Sequence, residues 1–328
     1  MSTTQSKPII KDEIDDKFET FLFLPENENT ERYGEGGLRQ KNIFKKSDTN
    51  KPLISIVTPN LNDDIESTIL SVIEQNYQNI EFIIKDGGSD KKTLKILEHY
   101  NDSIDYWVSE KDNGIWDGMN KGLALATGDY IVILGSADLL NKEAIKNILE
   151  LIQKNPNAEC LLGSCLKQRL MHGYRPNDIA LHFNIFASHS GSFFLKKKAY
   201  KKIGFYDTQY VCSADYDLIY KMIVKYKMIG VCGPKNNIIS IKPEGGFSDQ
   251  YSFLKTLYDE CKIRYNNNQN IFIILFIYLV RCFKKILSVI CNFDGNKESK
   301  FKNDSSTEIQ INKARNYYQS IINKKKYV

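Results

Sequence analysis

Leu53-Ile54-Ser55-Ile56-Val57, closed by Thr58-Pro59-Asn60, is the stretch from which the fold of this chain is read. An unbroken apolar run of that length is the pattern of a strand covered on both faces, as strands of parallel sheets are. Downstream, Asp63 with Glu66 three residues on predicts a capping box, and Ile65, Ile69, Val72 and Ile73 then recur at helical spacing. Ile80 to Lys85 reads as a second strand ending at Asp86, and Leu94 and Leu97 mark a second helix. Tyr106-Trp107-Val108 reads as a third strand, Met119 and Leu123 as a third helix, and Tyr130 to Leu134 as a fourth strand that stops at Gly135-Ser136-Ala137-Asp138. This alternation predicts an α/β fold with a mostly parallel central sheet flanked by helices, right-handed crossovers and a crevice at the carboxyl ends of the strands. Thr58, Asp86 and Asp138 all sit at such ends and are expected to converge.

Four segments carry chemistry. Asp86-Gly87-Gly88-Ser89-Asp90 lets glycines turn the chain sharply and leave a carboxylate at the crevice, where it can accept the imide N–H of a uracil; a plain tight turn explains the same residues. Asp138 offers a hard oxygen to Mg²⁺ or Mn²⁺, or alternatively caps a helix that starts near Lys142. The dense polar run from Glu110 to Gly122, with Gly114, Trp116, Asn120 and Lys121, leads into a helix whose N-terminus suits a diphosphate. Cys212-Ser213-Ala214-Asp215-Tyr216-Asp217-Leu218 opens another helix, in which Asp215 serves as a general base or merely as a first-turn charge.

A chain of 328 residues, 42% hydrophobic, buries one substantial core. We expect an N-terminal extension over 1–50, the main domain over 51–250 and a helical tail over 251–328. The net charge of +5 is small, and basic residues gather in Lys284, Lys285 and Lys324-Lys325-Lys326, which points to an anionic surface and not to nucleic acid. Seven scattered cysteines and a polar Met1 to Lys17 suit a reduced, cytoplasmic protein. Ile271 to Val280 is an apolar run, too short for the roughly 20 residues that a bilayer takes. Followed by Arg281, Lys284 and Lys285, it reads either as an interfacial helix on the inner face of the cytoplasmic membrane or as a helix packed on the domain or in a dimer. Oligomeric state is not legible.

Taken in order, Thr58-Pro59-Asn60, Asp86-Gly87-Gly88-Ser89, Asp112-Asn113-Gly114-Ile115-Trp116-Asp117, Met119-Asn120-Lys121-Gly122 and Ala126-Thr127-Gly128-Asp129-Tyr130 resemble the family-two glycosyltransferases, inverting enzymes of bacterial surface-polysaccharide assembly. The resemblance spans about Lys51 to Asp249. It implies a GT-A fold, a UDP-sugar or similar nucleotide-sugar donor, and a saccharide acceptor such as a lipid-linked O-antigen or capsule intermediate. It implies further that Thr58, Asn60 and Asp86 line the base pocket, that Gly114, Asn120 and Lys121 bind the donor, that Asp138 holds Mn²⁺ or Mg²⁺, and that Asp215 is the base. His189 and Ser190 resemble a stretch on the acceptor side, and Gly245-Gly246-Phe247-Ser248 a loop over the nucleotide. Ala137 departs from a motif that often carries two adjacent acids. A non-catalytic GT-A-like scaffold or saccharide-binding protein is the alternative that this departure leaves open. The two tryptophans, Trp107 and Trp116, both precede Asp215, so the Gln-x-x-Arg-Trp motif of processive relatives is absent and one sugar per encounter is expected.

Overall fold

The computed structural model describes residues 19–26, 30–48, 51–180, 190–243, 250–290 and 304–326. Twelve strands are described: β1 (Arg32–Gly36), β2 (Ile54–Asn60), β3 (Ile80–Asp86), β4 (Tyr106–Glu110), β5 (Tyr130–Ile133), β6 (Leu139–Leu140), β7 (Cys160–Leu162), β8 (Ser164–Leu166), β9 (Leu170–Met171), β10 (Phe193–Lys196), β11 (Gly230–Cys232) and β12 (Ile238–Ile241). The α-helices are α1 (Ile65–Ile73), α2 (Lys91–His99), α3 (Ile115–Ala124), α4 (Ala144–Lys154), α5 (Lys197–Ile203), α6 (Ala214–Tyr220), α7 (Phe253–Asn266), α8 (Ile271–Ile290) and α9 (Ser305–Ile322).

An eight-stranded sheet runs in the order β1-β4-β3-β2-β5-β10-β7-β11. Its centre, β4-β3-β2-β5, is parallel, whereas β1 pairs antiparallel with β4, and β10 antiparallel with both β5 and β7. A four-stranded sheet, β6-β12-β8-β9, adjoins it. The chain winds outward from β2 through β3 to β4, then returns along α3 and enters β5 on the other side of β2. That reversal leaves a gap beyond the carboxyl ends of β2 and β5, where helices diverge to opposite faces.

Side chains alternate across each strand, so β2 feeds two cores. Ile54 and Ile56 pack with Phe82, Ile84 and α1 on one face, while Val57 joins Ile83, Tyr106, Val108 and Leu123 on the other. The C-terminal helices divide likewise: Leu257, Ile263 and Ile277 join the second core, and Ile311, Ala314 and Ile321 the first.

The structure departs from the sequence-based expectations in three places. The cap of α1 is Asp64, whose carboxylate accepts from Ser67 N (3.4 Å) and Ser67 Oγ (2.6 Å). Glu66 instead accepts from Tyr100 Oη (3.0 Å) and from the main-chain N of Lys326 (3.0 Å). Described residues of the N-terminal extension are built into the sheet and the core. They supply edge strand β1 and the buried Arg39, whose guanidinium meets Glu81 at 2.7 Å and also the carbonyls of Leu22 and Leu125. Burial pushes the Glu81 carboxyl up, but Arg39, Ser55 and Thr127 outweigh it and hold the group below its ordinary value. Removing Arg39 alone would leave a buried charge, at a cost of about 3–5 kcal/mol. Finally, the basic run near the end does not face an external anion in full: Lys324 pairs with Glu74, and Lys325 with Asp64 at 2.9 Å.

Candidate active site

A cavity of about 630 Å³ opens at the reversal point, lined among others by Asn60, Asp63, Gly87, Asp112, Gly114, Gly118, Ala137, Asp138 and Lys242. It collects the end of β2, the turn after β3, the loop after β4, the start of α3 and the turn after β5. A second cavity of about 790 Å³ lies at the amino ends of β2 and β5, lined by Pro52, Asp129, Tyr130 and Lys196. Larger size does not make it the better candidate, because ligands of open parallel sheets bind beyond the carboxyl ends.

Asp86 does not line the cavity. It is fully buried, and its carboxylate receives Asn60 Nδ2 (2.7 Å), Ser89 Oγ (2.5 Å), Ser109 Oγ (2.6 Å) and the main-chain N of Ser89 (2.9 Å) and Gly88 (3.2 Å). Register explains the pairing: Asn60 and Asp86 are neighbours across β2 and β3. Because a carboxylate only accepts, it orients the amide so that Asn60 Nδ2 points inward. Asn60 Oδ1 is then left buried without a hydrogen-bond partner, on a residue of the cavity wall. Such an orphaned acceptor costs about 1–3 kcal/mol unless a ligand donor meets it. Thr58 lies deeper still, and its buried Oγ1 likewise has no partner.

Asp112 also lines the cavity, beside Gly87. Its Oδ1 is shared by Lys85 Nζ (2.8 Å) and Lys121 Nζ (3.1 Å). Lys85 is buried and also donates to the carbonyls of Asp86 (2.6 Å) and Glu110 (2.8 Å). Burial lowers its pKa, and Asp112 opposes that shift; burial raises the Asp112 carboxyl, and the two lysines oppose that in turn. Lys121 further meets Glu110 and Asp117, both at 3.2 Å, so its charge is spent on the site's own acids. Gly87 and Gly118 make room for Asp112: a Cβ on Gly118 would stand 2.6 Å from Asp112 Oδ2, and one on Gly87 3.2 Å from it.

Asp138 follows β5 in a tight turn in which its N bonds Gly135 O (3.1 Å) and Ala137 adopts φ 65°, a left-handed conformation. The carboxylate is buried against Lys242 Nζ, 3.3 Å from Oδ1, at the end of β12. Burial pushes the Asp138 carboxyl up to about 6; Lys242 and Lys167 pull it down, and Asp63 pushes it up again. Among the described residues no group of three His, Cys, Asp or Glu could hold a metal ion. One buried carboxylate, Asp138, with a second, Asp63, lining the same cavity fits a Mg²⁺- or Mn²⁺-type ion, which takes one or two carboxylates and completes its shell with phosphate oxygens and water.

Asp215 stands on α6, outside the cavity lining. The first turn of α3 links the two: Ile115 and Gly118 line the cavity while Trp116 Nε1 donates to Val211 O (2.8 Å) and its ring lies 5.3 Å from that of Tyr206. Asn120 is a clamp and not a cavity residue: its Nδ2 donates to Tyr206 O and its Oδ1 accepts from Tyr206 N, both at 2.8 Å. The Asp215 side chain reaches solvent, yet surrounding protein desolvates it enough to raise its pKa, against main-chain N–H groups that lower it. Asp217 is buried instead, paired with Lys221 (2.6 Å) and Asn267 (3.2 Å). His189 and residues 245–248 lie outside the described residues.

Of the three acids expected around one pocket, Asp138 lines it, Asp86 supports its wall from beneath, and Asp215 stands beyond α3. Asp112 and Asp63 were within reach of the sequence, since both lie in loops after strands. Lys242 carried no local signal, because only the pairing of β12 with β6 brings it beside Asp138.

The sequence profile described as glycosyl transferase family 2 matches residues 54–211. An uncharacterized glycosyltransferase of Mycobacterium tuberculosis is 31% identical over 182 residues, which cover 52% of this chain and 69% of that protein. The putative teichuronic acid biosynthesis glycosyltransferase TuaG of Bacillus subtilis is 34% identical over 121 residues, covering 35% and 48%. Among solved structures, S. aureus TarS superimposes with a TM-score of 0.53 at 16% identity over 70% of this chain, which spans only 43% of the TarS chain. Mannosyltransferase PcManGT from Pyrobaculum calidifontis, in complex with GDP-Man and Mn²⁺, gives 0.53 at 15% identity over 84% of this chain and 89% of that one. The fold is accordingly of the GT-A type.

Proposed function

Because this chain belongs to glycosyl transferase family 2, we propose that it transfers one sugar at a time, with inversion, from a nucleoside-diphosphate sugar to a hydroxyl of a cell-surface saccharide intermediate. The observation that carries the reading is the cavity at the strand reversal, where a buried acceptor on Asn60 and a buried carboxylate on Asp138 belong to the same wall system. A nucleotide-sugar presents a base with N–H donors at one end and an anionic diphosphate at the other, and a cavity with those two poles suits it. UDP is the preferred nucleotide, and TarS in complex with UDP-GlcNAc shares the fold.

Asn60 Oδ1 would accept from the base, held in place by Asp86, with Thr58 behind it. Gly114, with open space for 4 Å around the position a Cβ would take, leaves the start of α3 open to the diphosphate. Lys121 would set the charge of Asp112, and Asn120 would hold α3 against the segment leading to α6. Asp138 would hold a divalent cation, Mn²⁺ or Mg²⁺, which when bound neutralises charge on the leaving diphosphate, worth several kcal/mol. Asp215 would accept the proton of the acceptor hydroxyl as its oxygen closes on the anomeric carbon from the face opposite the departing group. General-base help of this kind contributes about 10²–10⁴-fold. His189 is proposed on the acceptor side.

A panel of UDP-, GDP- and dTDP-sugars, each with Mn²⁺, tests the reading by thermal stabilisation followed by product analysis. One donor should stabilise the protein and be slowly hydrolysed or transferred with inverted anomeric configuration. Absence of stabilisation by every member would sink it.

A further inference from the structure

Helix α8 presents its apolar side to solvent. Phe272, Leu275, Phe276, Leu279, Phe283 and Ile286 are all exposed, from 51% for Leu275 to 76% for Phe272. At about 100° per residue these six fall within one arc of about 100°. Ile274 and Ile277, on the opposite side, are buried; Ile277 joins the second core, and the helix packs on α7. Arg281 also points inward and meets Glu260 at 3.4 Å. Lys284 and Lys285 are exposed and flank the apolar arc, about 80° beyond its two edges. Lys285 keeps its ammonium 6.0 Å from the ring of Phe253 on α7, which Arg281 also approaches at 5.7 Å.

We propose that α8 lies in the headgroup region of an anionic lipid surface, with this arc in the acyl boundary and the two lysines at phosphate level. Three features choose that occupant. The 20 residues of α8 contain no acidic residue, so a second copy would bring lysines together with no opposite charge on the helix, whereas anionic lipid supplies it. The apolar arc is broad and carries bulky side chains throughout, which suits a plane better than the narrow stripe of a two-helix seam. No described helix is long and apolar enough to cross a membrane, so α8 rests on the surface.

This inference does not depend on the donor or on turnover, and its test uses neither. The full chain is sedimented with vesicles of phosphatidylcholine alone and with vesicles of equal parts phosphatidylcholine and phosphatidylglycerol. Binding to the anionic vesicles is expected, with little to the neutral ones. Lys284→Gln should weaken it about fivefold, and Lys285→Gln similarly. Phe276→Glu with Phe283→Glu should abolish it; both sites are exposed, so the melting temperature should hold. The proposal is overturned if the wild-type chain stays in the supernatant, or if the double phenylalanine variant sediments unchanged. It is equally overturned if the chain is a dimer without lipid that this variant turns into a monomer, which would make α8 an interface between copies.

Discussion

Lys242 Nζ stands 3.3 Å from Asp138 Oδ1, so the carboxylate proposed to hold a metal already has a cation beside it. A metal ion approaching the free protein meets like charge, while a bound diphosphate gives the ammonium another partner.

Lys242→Met should therefore bind Mn²⁺ about tenfold more tightly without nucleotide, equivalent to about 1.4 kcal/mol. Nucleoside-diphosphate affinity should fall in the same variant. Both are measured by Mn²⁺ electron paramagnetic resonance and by calorimetry at about pH 8, above the Asp138 pKa of about 6. Unchanged Mn²⁺ affinity would remove Lys242 from this role.

Asp215 and Asp217 should separate cleanly. Asp215→Asn is expected to keep donor affinity and lose about 10²–10⁴ in kcat. Asp217→Asn weakens the pair with Lys221, whose ammonium can still reach water, and should lower stability by about 1 kcal/mol. Turnover and urea midpoints of the two variants decide it, and near-normal turnover of the first would end the base assignment.

Gly118→Ala places a Cβ 2.6 Å from Asp112 Oδ2 and must displace that carboxylate. Alanine is the better helix former by up to about 1 kcal/mol, so the fold should hold. Donor affinity should drop about tenfold. A variant that binds donor normally would show that Asp112 is not part of the donor site.

Glu260 gives a pH signature. Burial pushes its carboxyl up to about 7, against Arg281 and Arg264, which lower it. A raised folded pKa favours the protonated form, so its contribution to stability is full below the unfolded value of about 4.5 and is lost as pH rises through about 7. Glu260→Gln should thus gain on the wild type between about pH 5 and 8, by about 3 kcal/mol at the upper limit. Melting temperatures at several pH values measure the gap, and one that does not widen with pH contradicts the shift.

What could be read from the chain was local in origin. Ile54 to Val57, Ile80 to Lys85 and Tyr130 to Leu134 declare strands because apolar runs must be buried on both faces, and the helices between them force parallel neighbours. Asp138 was legible for the same reason, as a polar residue directly after a buried strand. The cap of α1 moved by one residue because two acids, Asp63 and Asp64, competed for one role and only the path of the backbone chose.

The residues alone thus determined the alternating α/β architecture and the end of the sheet at which chemistry would gather, since periodicity and strand order follow from burial. Which side chains reach the cavity was decided only by the folded chain. Asp86 is turned away by five donors from β2, β4 and its own turn, Asn120 is taken by Tyr206, and Lys242 arrives from over a hundred positions away. The physical reason is that hydrogen bonding and ion pairing are settled by neighbours across strands, and no local pattern in a sequence records them.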